Sequence, residues 1–135
     1  MSKSDEAIKR HDKGYNCSQA VACVFAEELG LDEALLFKLN EGFGAGMGSG
    51  RGVCGALSGA VMMAGLVNSD GSIDSAGSTK GSTYKIAAAM QKEFVNRAER
   101  LICRDIKTGN NGKAFTSCAD CIRIATEIAE ETLKL

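Results

Sequence analysis

The 135-residue chain contains no proline and no tryptophan, a single histidine, and only 5% aromatic residues. A sandwich or barrel draws on more β-branched and aromatic residues than this. The scarcity, beside abundant alanine and glycine, favours close-packed helices. The lone His11 offers no base for Ser-His-Asp catalysis; it stands in a polar stretch and reads as a solvated side chain rather than a ligand. An excess of one charge is also missing. Sixteen basic against seventeen acidic residues leave a formal −1, so no basic face invites nucleic acid and no acidic tail serves as a solvating arm. The opening MSKSDEAIKRHDKGY lacks the apolar core of a secretion signal. The longest apolar run, Val53 to Val67, is too short to span a bilayer. These absences predict a cytoplasmic protein with neither a nucleic-acid nor a membrane partner.

What is present centres on residues 42–67, GFGAGMGSGRGVCGALSGAVMMAGLV. Its second half has no polar face, so Val53 to Val67 is predicted as a central helix surrounded by protein. Small residues at Gly55, Ala56, Gly59, Ala60, Ala64 and Gly65 let neighbouring helices approach closely, at roughly 1 kcal/mol of helix propensity per glycine. Cys54 falls in the first turn, where unpaired N–H groups and the positive dipole end favour a thiolate. The glycine-rich half reads as a loop. No strand precedes it and no Lys-Ser or Lys-Thr pair closes it, so it is not a phosphate cradle of the P-loop kind. Arg51, the one cation in the loop, reads as solvated rather than as a partner of a thiolate.

Around this segment, Ser4-Asp5-Glu6 opens a first helix that Gly14 ends, and Asn16 caps a second running to Leu29 before Gly30. Asp32 caps a third through Asn40. A long helix begins near Ser78 or Ser82 and reaches the Arg100 region. Thr116 or Ser117 caps the last, which runs almost to the C-terminus. The prediction is all-α: a single compact bundle of about five to six helices around a central apolar Gly/Ala-rich helix, forming one domain over residues 1–135. On helical wheels Cys17, Val21, Val24 and Phe25 face inward, while Cys23 lies opposite as a bystander. Tyr84, Ala87, Gln91, Phe94, Val95, Ala98, Leu101 and Ile102 form the predicted inner face of the long helix. Cys118, Cys121, Ile122, Ala125, Ile128, Ala129 and Leu133 form that of the last. Cys103 meets neighbours only if the long helix bends before it.

Six cysteines in a reducing compartment are not a structural disulfide set. Cys118-Ala119-Asp120-Cys121 places two thiols at a helix start, with the local geometry for a disulfide. The dipole alone, at about 0.3–1 kcal/mol, moves a thiol from about 8.5 to about 8, and burial opposes even that. A reactive thiolate therefore needs further donors or a cation. Zinc wants a second close pair or histidines, and neither is there. An iron–sulfur cluster needs four inward thiolates, which Cys17, Cys54 and Cys103 with Cys118 or Cys121 could supply, although their wide spacing is unlike ferredoxin ligand runs.

Three stretches carry a resemblance that spans nearly the whole chain. Asn16-Cys17-Ser18-Gln19-Ala20-Val21, then Gly52-Val53-Cys54-Gly55-Ala56-Leu57-Ser58-Gly59-Ala60, then Cys103 and Cys118 in that order resemble the C_GCAxxG_C_C family of putative redox-active proteins. The resemblance implies an all-helical domain, related to one in split-Soret cytochromes, and redox activity inferred from its cysteines; some members are selenoproteins. Cys17, Cys54, Cys103 and Cys118 match the family pattern; Cys23 and Cys121 lie outside it. There is no Cys-x-x-Cys-His, so attached haem is not expected. The leading expectation is thiol–disulfide redox chemistry or electron transfer, requiring no cofactor, by Cys54, Cys103, Cys118, Cys17 and Cys121. In it Cys54 is the helix-start thiol, Cys103 or Cys118 resolves it, and the redox partner is undefined. The alternatives are a metal ion or iron–sulfur cluster held by Cys17, Cys54, Cys103 and Cys118, and a non-catalytic helical interaction module. Homodimerisation through small-residue helix faces fits any of these.

Overall fold

The computed structural model describes residues 1–135 and is all-α. Its helices are α1 (Lys3–Asp12), α2 (Cys17–Cys23), α3 (Ala26–Leu29), α4 (Glu33–Asn40), α5 (Gly55–Asn68), α6 (Lys80–Ala98), α7 (Cys103–Thr108) and α8 (Cys118–Leu133). Eight helices replace the expected five or six for two reasons. The predicted Asn16–Leu29 helix breaks at Val24 and Phe25 into α2 and α3, and α7 arises in a stretch the pattern left unassigned. No helix is long and apolar enough to cross a membrane.

Local chemistry sets most of the boundaries. Asn16 accepts from the Gln19 N–H at 2.9 Å while the Gln19 side chain accepts from the Asn16 N–H, a reciprocal cap. Gly30 ends α3 in the left-handed region, φ 66°. Asp32 and Ser117 cap α4 and α8. The first helix starts earlier than predicted, because Ser2 and Asp5 form its reciprocal cap, and α6 starts at Lys80 with no side-chain cap.

Helix α5 lies against α2, α6 and α8. Its small-residue face is spent within the chain: a Cβ at Gly59 would come 2.7 Å from the Ser18 carbonyl oxygen. Phe25, Phe94, Leu57, Met63, Met90 and Ile122 are the largest fully buried side chains, each contributing roughly 1.5–3 kcal/mol through loss of apolar surface from water. Polar groups within the core are partnered. Ser18 Oγ donates to Asn40 Oδ1 at 2.8 Å, Asn40 Nδ2 donates to the Leu36 carbonyl at 2.8 Å, and no buried side-chain nitrogen or oxygen is left without a partner.

Helix α6 corrects the wheel. Its buried stripe is Met90, Phe94 and Ala98, while Tyr84 is 65% exposed and Val95 also faces out. Only its second half sinks into the core. The first half, with Tyr84 and Ala87, borders an open apolar groove beside Phe43, Val61 and Met62.

Two long-range features organise the end of the molecule where α5 begins. After α4 the backbone makes a 3₁₀ turn, Glu41–Phe43, then winds through left-handed conformations at Ala45 (φ 54°), Gly46 (63°), Met47 (59°), Gly48 (76°) and Gly50 (79°). Val53 and Ile102 then pair as an isolated antiparallel bridge. Across it the Cys54 N–H donates to the Leu101 carbonyl and the Cys103 N–H to the Gly52 carbonyl, both at 2.9 Å. Glu99, at φ 81°, ends α6 and turns the chain toward this bridge.

Candidate functional site

Four helices begin at one place, and each begins with a cysteine. Cys17, Cys103 and Cys118 are the first residues of α2, α7 and α8, Cys54 caps α5, and Cys121 stands in the opening turn of α8. These five line a single cavity of about 150 Å³. All six thiols are free. The predicted convergence of Cys17, Cys54, Cys103 and Cys118 is therefore present in the structure, with Cys121 included. Cys23 is elsewhere, fully buried, its sulfur 3.7 Å from the Glu33 carbonyl oxygen.

Glycine makes the approach close enough. A Cβ at Gly55 would come 2.5 Å from Cys17 Sγ and 2.7 Å from the Phe43 carbonyl oxygen. One at Gly46 would come 2.5 Å from Cys103 Cβ. One at Gly44 would overlap the Asn16 side chain, whose amide also donates to the Glu41 carbonyl at 2.9 Å. The start of α5 thus packs on Cys17, and the loop packs on Cys103 and Asn16.

The thiols are not equivalent. Cys54 is pulled below its ordinary value to about 7. The Cys121 thiol donating to its sulfur is the largest cause; burial opposes it, and the N–H groups of Ala56 and Leu57 and the Lys107 ammonium add to it. Cys121 is driven the other way, because it supplies that proton and is itself buried. Burial also raises Cys17, against the nearby Ala45 N–H, and Cys103, against Lys107. One sulfur carries charge readily, and its immediate neighbour holds a proton.

No three of the chain's His, Cys, Asp and Glu side chains are disposed to hold a metal ion. The four cysteines of the metal reading share the cavity without forming a ligand set.

The C_GCAxxG_C_C family model, described as "Putative redox-active protein", matches residues 15–132. The chain belongs to that family. No curated protein and no solved structure matches it at a significant level. The matched residues include all five cysteines of the cavity.

Three side chains of the cavity were missed from the sequence. Lys107, exposed at the rim, faces the sulfurs of Cys118, Cys103 and Cys17, which together raise its own pKa against desolvation. It stands four residues after Cys103, one turn along α7, a signal that needed α7 to be recognised. His11, read as solvated, is half-buried and lines the cavity, as does Thr116. Arg51, the cation weighed for this role, is exposed and absent from the lining.

Proposed function

We propose that this family member is a cytoplasmic thiol–disulfide oxidoreductase in which Cys54 is the nucleophile and Cys121 the resolving thiol. The observation that carries the reading is the meeting of Cys54 and Cys121 in one cavity ringed by helix starts, where the first thiol is lowered and the second raised. The Cys54 thiolate attacks one sulfur of a substrate disulfide. A mixed disulfide forms and the substrate's other half leaves as a thiolate. Cys121 gives its proton to that leaving thiolate and attacks Cys54 Sγ, forming the Cys54–Cys121 disulfide and expelling the second half as a thiolate. The substrate gains two electrons and the protein dithiol loses them. Cys17 and Cys103, kept protonated by burial, do not compete as nucleophiles at neutral pH. Cys121, not Cys103 or Cys118, takes the resolving role because its thiol is the strongest influence on the Cys54 sulfur.

Peptide mass mapping after alkylation, before and after mild oxidant, tests this. The expected result is loss of two hydrogens, reversed by reductant, at a Cys54–Cys121 crosslink, and its absence in Cys54→Ser. A Cys54–Cys103 or Cys54–Cys118 crosslink would remove Cys121 from its role. No reversible mass change at all would end the redox reading.

A further inference from the structure

The cavity also limits what can reach Cys54. That thiol is 6% exposed and Cys121 is 2% exposed, so a disulfide on the surface of a folded protein cannot bring its sulfur to them without opening the site. The space, about 150 Å³, is comparable to an engineered cavity that accepts a benzene-sized molecule. Its lining is thiols, the apolar Ala45, Gly55 and Ile106, then His11, Asn16, Thr116 and the rim cation Lys107, and it contains no aspartate or glutamate. Both long helices that start there, α5 and α8, turn their positive ends toward it.

We propose that the substrate is a small disulfide whose entering arm carries a carboxylate, with Lys107 at the rim as the residue that selects for that charge. This rests on the thiol–disulfide reading above and adds to it a substrate class and a specificity residue. The entering arm fills the cavity and presents its sulfur to Cys54. Its carboxylate meets Lys107, a contact of the ammonium–carboxylate kind that is stronger than a neutral hydrogen bond. The preference is local. The chain as a whole carries a formal −1, which gives anions no general advantage, and no lining carboxylate offers a counterpart for a cationic arm. Lys107 also contributes, as the weakest of the causes, to holding the Cys54 pKa down. Any test must therefore separate charge selection from thiolate supply.

The experiment oxidises the reduced full chain with dithiodiglycolate (anionic arms), 2-hydroxyethyl disulfide (neutral) and cystamine (cationic), each rate divided by that of free 2-mercaptoethanol with the same reagent. The expected order is anionic, neutral, cationic, with a ratio of about tenfold between the first two at low salt that shrinks as salt screens the pair. Lys107→Gln brings the anionic-to-neutral ratio to about one, and Lys107→Arg keeps it above one. Because the readout is a ratio within one variant, a change in Cys54 ionisation cancels. A wild-type ratio at or below one, or a ratio unchanged in Lys107→Gln, overturns charge selection while the redox chemistry stands. If Lys107→Gln fails to fold, the three wild-type rates decide alone. If no disulfide oxidises the protein, the thiol–disulfide reading falls and the substrate class with it.

Discussion

Cys23 and Cys54 are both sealed from water, at 0% and 6% exposure, yet they hold their protons in opposite ways. Cys23 closes α2 within the packed core. Burial, and after it the Glu33 carboxylate, raises it to about 11, with Arg10 opposing only weakly. Cys54 sits where α5 starts and is lowered to about 7. Desolvation acts on both in the same direction. What differs is the replacement for the lost water. Cys23 finds one backbone carbonyl, which can only accept its proton. Cys54 finds a thiol donor, two free helix N–H groups and a cation. In this protein a buried cysteine becomes a candidate nucleophile because of where in a helix it stands, not because of how deeply it is buried.

The largest expected effect sharpens that contrast directly. At pH 7 the two pKa values imply roughly 5,000-fold more thiolate at Cys54 than at Cys23, while the weaker intrinsic nucleophilicity of a low-pKa thiolate offsets roughly 40–100-fold of it. Iodoacetamide should therefore label Cys54 about 50- to 125-fold faster than Cys23 in the native protein, as read by peptide mass spectrometry, and at matching rates in 6 M urea. The complete burial of Cys23 only widens the gap. Native labelling of both sites at one rate would erase the distinction.

Stability against pH gives the next largest effect. The folded-state pKa of Cys54 lies below its unfolded value near 8.5, so its contribution, about 2 kcal/mol, is present above pH 8.5 and lost as pH falls through 7. Cys23, Cys17, Cys103 and Cys121 are raised. Their contributions are intact below about pH 8.5 and are lost as pH climbs through their folded values. The urea midpoint of the reduced protein should rise from pH 6 to about 8.5 and decline above about 9. Cys54→Ala should remove the rising limb, and Cys23→Ala should make the falling one shallower. A midpoint flat between pH 6 and 8.5 in the wild type would mean that Cys54 is an ordinary thiol.

The readable parts of this molecule are those fixed within a few residues. Asn16, Asp32 and Ser117 act as caps, Gly30 stops α3, and the inward face of α8 follows its wheel, because each depends on spacing alone; α2 does not, since packing closes over both its sides and Cys23, read as lying opposite the core, is fully buried. The gathering of cysteines was legible in part, since Cys17, Cys54 and Cys118 stood near expected helix starts, while Cys103 was left at the end of the long helix. What the sequence withheld depends on partners far along the chain. The Val53–Ile102 bridge makes Cys54 the cap of α5 rather than a member of its first turn, and it starts α7 at Cys103. Without α7, Lys107 has no assigned direction. His11 is drawn to the cavity by where α1 lies against α2 and α8, which no local pattern of a polar helix encodes. Helix α6 misled because its face is half used, buried from Met90 onward and open before it.

The smallest expected effect compares the two ends of α5. Gly55 faces the cavity, where a Cβ would press on Cys17 Sγ at 2.5 Å and on a backbone oxygen that cannot swing aside. Gly65 has nothing within 4 Å of the same position. Alanine gains up to about 1 kcal/mol over glycine inside a helix, and overpacking costs about 1–3 kcal/mol. Gly65→Ala should therefore raise stability by up to about 1 kcal/mol, with the Cys54 labelling rate unchanged. Gly55→Ala should lower stability by about 1–2 kcal/mol and slow that labelling, because the displaced Cys17 and loop disturb the ring of helix starts. Both are read by urea denaturation and by the same labelling assay. If Gly55→Ala were as stabilising as Gly65→Ala, the close packing of Cys17 on α5 would be slack, and the cavity would lose the constraint that holds its sulfurs together.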